Sequence, residues 1–294
     1  SAAFDTVNHD ILLSILWNMG ITGHAHSWFQ SYLTGRSFIS VRISDCLSDI
    51  SAWMKAHHLQ LNLSKTELLV FPAKPTIQLD ISITFDSIPL APTSVVRNLG
   101  VMIDNQLTFT DHVASVTRSC RFTLFNLRKI RPYLTEQATQ LLVQTMVISR
   151  LDYCNALLTG LPACVVKPLQ MVQNAAARLV FNQPKRAHVT PLLIELHWLP
   201  IAARIKFKSL ILAYKILRGS APVYLGALIK AYVAPRPLRS SGERSLVVPR
   251  PCTRQSRLFS WVVPRWWNAL PSATRTESSL PIFKKLLKTQ LFRE

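Results

Sequence analysis

Residues 112–130 read HVASVTRSCRFTLFNLRKI, and this stretch decides the fold class. Its apolar residues recur with a helical period. Downstream of it the same period returns, predicting helices at 112–130, 136–149, 167–181, 201–217 and 280–291. Upstream the period shortens. Residues 38–43 alternate as a strand does, 67–71 read as a second strand, and 79–85 and 95–103 are two more. Short helices are expected at 11–19, 25–33 and 45–58. Between 234 and 264 the chain is rich in Pro, Arg and Ser and poor in periodicity, so an irregular basic loop is expected there. No repeat of fixed period is present.

Composition agrees with a helical core. The chain has 294 residues, is 49% hydrophobic, and holds 8 Gly against 18 Pro. That length allows one large domain or two smaller ones. The five cysteines, Cys46, Cys120, Cys154, Cys164 and Cys252, include no Cys-x-x-Cys. An odd count without that spacing argues against a disulfide scaffold and fits a reducing, intracellular compartment, cytoplasmic or nuclear. Cys154 and Cys164 are expected as buried thiols. No signal-peptide pattern is present, and the opening at Ser1 is expected of a piece cut from a larger protein. The longest stretch free of Asp, Glu, Lys and Arg, 11–35, carries too many polar side chains for a membrane span.

The net charge is +19, and its distribution is lopsided. Residues 1–160 hold 12 Lys/Arg and 11 Asp/Glu, whereas 161–294 hold 22 Lys/Arg and 4 Asp/Glu. Such a field attracts polyanions, of which RNA and DNA are the commonest. A membrane surface or an acidic protein would satisfy the same field. Arg204, Lys206 and Lys208 fall on the helix expected at 201–217. Arg236, Arg239, Arg250, Arg254 and Arg257 stud the basic loop, and Arg265 adjoins Trp266-Trp267. Arginines beside aromatics suit phosphate contact and base stacking, and these nine are the candidate nucleic-acid contacts. The plainer reading is a solvated helix face and a buried tryptophan pair.

Several motifs, in order, resemble the reverse transcriptase of LINE-type (non-LTR) retrotransposons. Ala3-Phe4-Asp5, with His9-Asp10-Ile11-Leu12-Leu13 beyond, resembles the end of that family's motif A. Trp28-Phe29 and Ser31-Tyr32-Leu33-x-Gly35-Arg36 are similar to the helices that follow. Leu59-x-Leu61-Asn62-x-x-Lys65-Thr66-Glu67 resembles motif D, and Asn98-Leu99-Gly100-Val101-x-Ile103-Asp104 the hairpin after the palm. Ser149-Arg150-Leu151-Asp152-Tyr153-Cys154-Asn155 and Trp266-Trp267-Asn268-x-Leu270-Pro271 resemble the region downstream of the polymerase. The resemblance implies an α+β, mostly helical chain in three parts. A fingers and palm remnant with a small sheet spans 1–110, a helical thumb-like region 111–160, and a basic helical region 161–294.

The family copies RNA into DNA with two Mg2+ ions, which stabilise the attacking 3′ oxygen and the leaving pyrophosphate. Magnesium prefers carboxylate oxygens, so the palm must supply acids on adjacent strands. By the resemblance, the motif A metal aspartate would lie two residues before Ser1. Asp5, next to Phe4, should point to the opposite face of the strand. The family's Ala-Asp-Asp hairpin belongs between Arg36 and Trp53, yet no two acidic residues are adjacent anywhere in the chain. A deletion junction near Ser44 is expected, with no complete catalytic set and no bound cofactor. Phe4 would sit under the incoming sugar and Lys65 near the pyrophosphate. With the site incomplete, core packing and a solvated surface lysine are their expected roles.

The expected function is therefore an inactive reverse transcriptase fragment that still binds RNA or DNA. The alternatives are a non-enzymatic nucleic-acid-binding protein used by a host and an inert translated pseudogene. Nothing marks a membrane or small-molecule cofactor partner: no Walker loop, dinucleotide fingerprint or nucleophile elbow occurs. His188, Glu195 and His197 could suggest a metal or acid–base pair, but His197 beside Trp198 reads as helix-end packing.

Overall fold

The computed structural model describes residues 17, 43, 45–72, 83–85, 88–232, 244–250 and 258–293. The chain is α+β and mostly helical. It divides into two compact units, Ser1–Thr108 and Phe109–Glu294. Within the second unit, helices from either side of residue 160 pack into one core.

In the first unit, helix α1 spans 45–56. Its inner stripe is Leu47, Ser51 and Met54, while Ile50 and Trp53 of the expected apolar face stand exposed. Ile43 is helical, and the other residues of the strand expected at 38–43 lie outside the described ones. A 3-10 turn, Leu63–Lys65, leads to strand β1 (Leu68–Leu69). β2 (Ile83–Phe85) pairs antiparallel with β3 (Ile88–Leu90), and β4 (Pro92–Thr93) pairs parallel with β1. β5 (Val95–Asn98) and β6 (Val101–Asp104) form an antiparallel hairpin, so the single strand expected over 95–103 is two. Its two turn residues, Leu99 (φ 47°) and Gly100 (φ 83°), are both left-handed, as a tight twisted hairpin requires. Asp104 closes the hairpin's exit: its Oδ1 accepts the amides of Gln106 (3.1 Å) and Thr108 (2.9 Å). Among the described residues the strands form three separate pairs rather than one sheet.

The second unit is built on α2 (Thr110–Ile130) and α5 (Ala163–Val180). Between them lie α3 (Glu136–Val143), a π-helical turn (Gln144–Ile148) and α4 (Ser149–Asp152). Thr135 caps α3 by accepting the amide of Ala138 at 3.2 Å. α2 buries Val113, Cys120, Leu124 and Leu127 at helical spacing against Leu169, Val172, Ala176 and Val180 of α5. α5 begins four residues before its expected start, because Pro168 sits inside the helix rather than at its first turn.

α6 (Thr190–Glu195) ends in a turn at His197 (φ 54°), whose ring Nδ1 lies 3.0 Å from the Glu195 carbonyl. His197 thus stands at the helix end, but its side chain is exposed rather than packed as expected. α7 (Ile201–Leu217) has the expected limits, and a short α8 (Val223–Gly226) follows. α9 (Phe259–Asn268), α10 (Ser272–Thr276) and α11 (Leu280–Arg293) complete the unit. The irregular loop expected over 234–264 is thus corrected: 259–264 are helical, and Pro264 lies within α9. The second core joins Leu210, Ala213 and Tyr214 of α7, Val263 and Trp267 of α9, and Phe283 and Leu287 of α11. The rings of Tyr214 and Phe283 stack with centroids 4.4 Å apart. Among the described residues, no helix is long and apolar enough to cross a membrane.

Candidate nucleic-acid interface

The nine expected contact residues do not share one surface role. Arg204 stands half-buried on α7, and its guanidinium reaches Asp152, with Nη1 to Oδ2 at 3.1 Å. Asp152 also accepts Nδ2 of Asn155 at 3.3 Å, and Lys208 Nζ donates to its backbone carbonyl at 3.4 Å. Burial pushes the Asp152 carboxyl up and the Arg204 guanidinium down, and their mutual attraction only partly opposes this. Arg204 is therefore committed to an ion pair with Asp152. The cause is an acid 52 residues away in sequence, which a helix-face reading cannot see. Lys206 is half-buried and is not a free cation. Lys208 and Arg250 are exposed. Arg236, Arg239, Arg254 and Arg257 lie outside the described residues.

Arg265 is exposed on α9, with its guanidinium 4.4 Å above the Trp261 ring, one helical turn back. Trp267 points the other way and is 1% exposed, while Trp266 is half-buried. The Trp-Trp-Asn-x-Leu-Pro motif proves to be a clamp. Trp267 Nε1 donates to the Arg244 carbonyl (2.9 Å), and the Asn268 amide group makes both hydrogen bonds of a strand partner with Leu246, each 2.8 Å. Leu246 is thereby held in the core, and it bridges Ala231 in antiparallel fashion. Buried Arg275 ties off the end, donating through Nε to the Leu270 carbonyl (3.1 Å) and through Nη1 to Ser245 Oγ (2.8 Å).

Of the two expected nucleotide-site remnants, Phe4 lies outside the described residues. Lys65 is exposed at the end of the 3-10 turn. Among the described residues, no three His, Cys, Asp or Glu side chains are grouped to hold a metal ion. The expectation of buried thiols is corrected at Cys154 and Cys164, both free and exposed. The first lies in a left-handed turn after α4 and the second in the first turn of α5. Cys120 is buried on α2.

A basic surface that the half-by-half charge balance concealed lies on α2. Residues 112–131 carry Arg118, Arg121, Arg128, Lys129 and Arg131 and no acid. Beside its C-terminal end is a cleft of about 590 Å³, lined by Arg128, Arg131, Arg178, Asn182 and Lys185 among others. Arg131 also caps α5, donating from Nε to the Leu179 carbonyl (3.0 Å) and from Nη2 to that of Val180 (2.9 Å). Compared with protein-family models, curated proteins and solved structures, the chain matches none.

His112, near the start of α2, is buried and lines a small cavity with Arg150, Leu151 and Tyr153. Burial holds its imidazole below the usual value of 6.5. The unfolded chain therefore takes up a proton first as pH falls. Stability from this residue is complete above pH 6.5 and is lost as pH drops below it. Urea melts at about pH 7.5 and 5.5 should show lower stability at the acid end. The difference should shrink in His112→Gln; an unchanged difference would contradict the assignment.

Proposed function

We propose that the chain is a fragment of a LINE-type reverse transcriptase lineage that does not polymerise and that retains affinity for RNA or DNA. The supporting observation is the order of the motifs, from Phe4 through Lys65, the hairpin at 98–104 and Asp152 to Pro271. In this reading 1–110 are what remains of the fingers and palm, 111–160 derive from the thumb, and 161–294 from the basic region after it. The loss of polymerisation rests on chemistry. Magnesium needs clustered carboxylates, and the chain has no adjacent acidic pair. The affinity rests on charge, since the net +19 is concentrated where acids are scarce. The partners are RNA and DNA, with no membrane and no small-molecule cofactor, in a cytoplasmic or nuclear setting.

Primer extension on an RNA template with Mg2+ or Mn2+ tests the chemistry. The expected result is no incorporation above a protein-free control. Metal-dependent incorporation would overturn the inactivity.

A further inference from the structure

We infer that the exposed face of α2, running into the cleft at its C-terminal end, is a track for a single strand of nucleic acid. This deepens the proposed function, on which it rests, and places a contact surface where the charge balance of residues 1–160 predicts none.

At 100° per residue, Arg118, Arg121, Phe122, Phe125, Arg128 and Lys129 fall within one stripe of α2: Phe122, Phe125 and Lys129 face away from α5, while Arg118 and Arg121 edge a groove shared with Cys164, Val165 and Pro168 of α5. Phe122 is 67% and Phe125 58% exposed, and the four cations are exposed as well. From Arg118 to Lys129 the stripe is about 16 Å long at 1.5 Å per residue. At its far end Arg128 also lines the cleft with Arg131, Arg178 and Lys185. The Asn182 and Gln183 amides there add neutral hydrogen-bonding groups. One carboxylate shares the stripe: Asp111, in the first turn, where the helix dipole favours it.

Two exposed phenylalanines alone could mark a protein contact. Their flanking charge selects against that reading. A second copy of the same face would bring like charges together, and an apolar partner helix would bury four cations without counter-ions. A single strand meets both requirements at once, since its phosphates neutralise the cations and its bases have flat faces for the rings. Lys129 Nζ stands 4.5 Å over the Phe125 ring, which sets an ammonium beside a stacking surface. The two rings lie at the middle of the stripe with a pair of cations on either side, so stacking in the centre is flanked by phosphate contacts. The track does not distinguish RNA from DNA, so both are tested.

The experiment measures fluorescence anisotropy of labelled oligo(dT) and oligo(rU) with the full chain, using two variants. Both variants alter exposed positions, and circular dichroism checks their folding. F122A/F125A should weaken binding at least tenfold, from the loss of two stacking rings, with the salt slope unchanged. R118Q/R121Q/R128Q should lower the slope of log K against log salt by about 2. If the wild-type chain binds and both variants bind as it does, the track is wrong and the proposed function stands. If F122A/F125A instead dissolves a dimer of the chain, the face is a protein contact and the track is also wrong. If the wild-type chain binds neither polymer, the proposed function falls first.

Discussion

Trp267→Ala should destabilise the second unit by about 4 kcal/mol, the usual cost of removing a buried tryptophan. The side chain is 1% exposed and lies among Leu210, Tyr214, Phe283 and Leu287, with its ring 5.7 Å from that of Phe283. Alanine would leave a cavity that helices on three sides cannot close. It would also release the Arg244 carbonyl, which loses the indole donor. A domain stability is typically about 5–15 kcal/mol, so this one change takes a large share of it. Trp266→Ala is the internal control. That ring is half-buried, and its loss should cost less than half as much. Urea denaturation of the two variants decides the matter. Equal effects, or a Trp267→Ala effect below about 1 kcal/mol, would mean that the motif is not the clamp described.

Arg204→Met alone should cost about 2 kcal/mol, whereas Asp152→Leu with Arg204→Met should come within about 1 kcal/mol of the parent. The two side chains are 28% and 16% exposed, so neither is fully hydrated. Burial, the larger influence, works against ionisation of both partners, so the pair gains little over its own desolvation. Removing one partner leaves a partly desolvated charge. Removing both takes away that penalty and fills the junction with apolar volume. Asn155 would lose an acceptor in the double variant, which keeps the expected recovery incomplete. A double variant as unstable as the sum of the singles would contradict this account. Lys208 stays in place throughout and isolates the contribution of Arg204.

The sequence shows the helices well where pattern and punctuation agree. Ile201–Leu217 follows Pro200 and stops before Gly219, so both limits are legible. Proline misleads where packing overrides it. Pro168 delays the expected start of α5, and Pro264 hides α9 inside an apparent loop. Strands of two to four residues carry too little alternation to define a sheet, and at Leu99-Gly100 apolar residues on both sides of the turn let it read as one strand by period alone.

The candidate site was less legible, for two reasons. Arg204 looks like a free cation until the fold brings Asp152 to it from 52 residues away. Conversely, acids elsewhere in 1–160 cancel the α2 cations in a sum, although none of them lies between His112 and Arg131. A moving charge window, read with the helical period, contains the signal for that second surface. Exposure of Phe122 and Phe125 is not in the sequence. It follows from which side of α2 meets α5.

The most direct test of the central claim is the salt dependence of binding to oligo(rU) and oligo(dT) by the full chain. With about six phosphates contacted, log K should fall with log salt at a slope near −4, the single-strand value per contact being about −0.7. Raising salt from about 50 to 200 mM should then cost roughly 300-fold in affinity. Absent binding, or binding insensitive to salt, would contradict the claim that this basic chain is a nucleic-acid-binding protein.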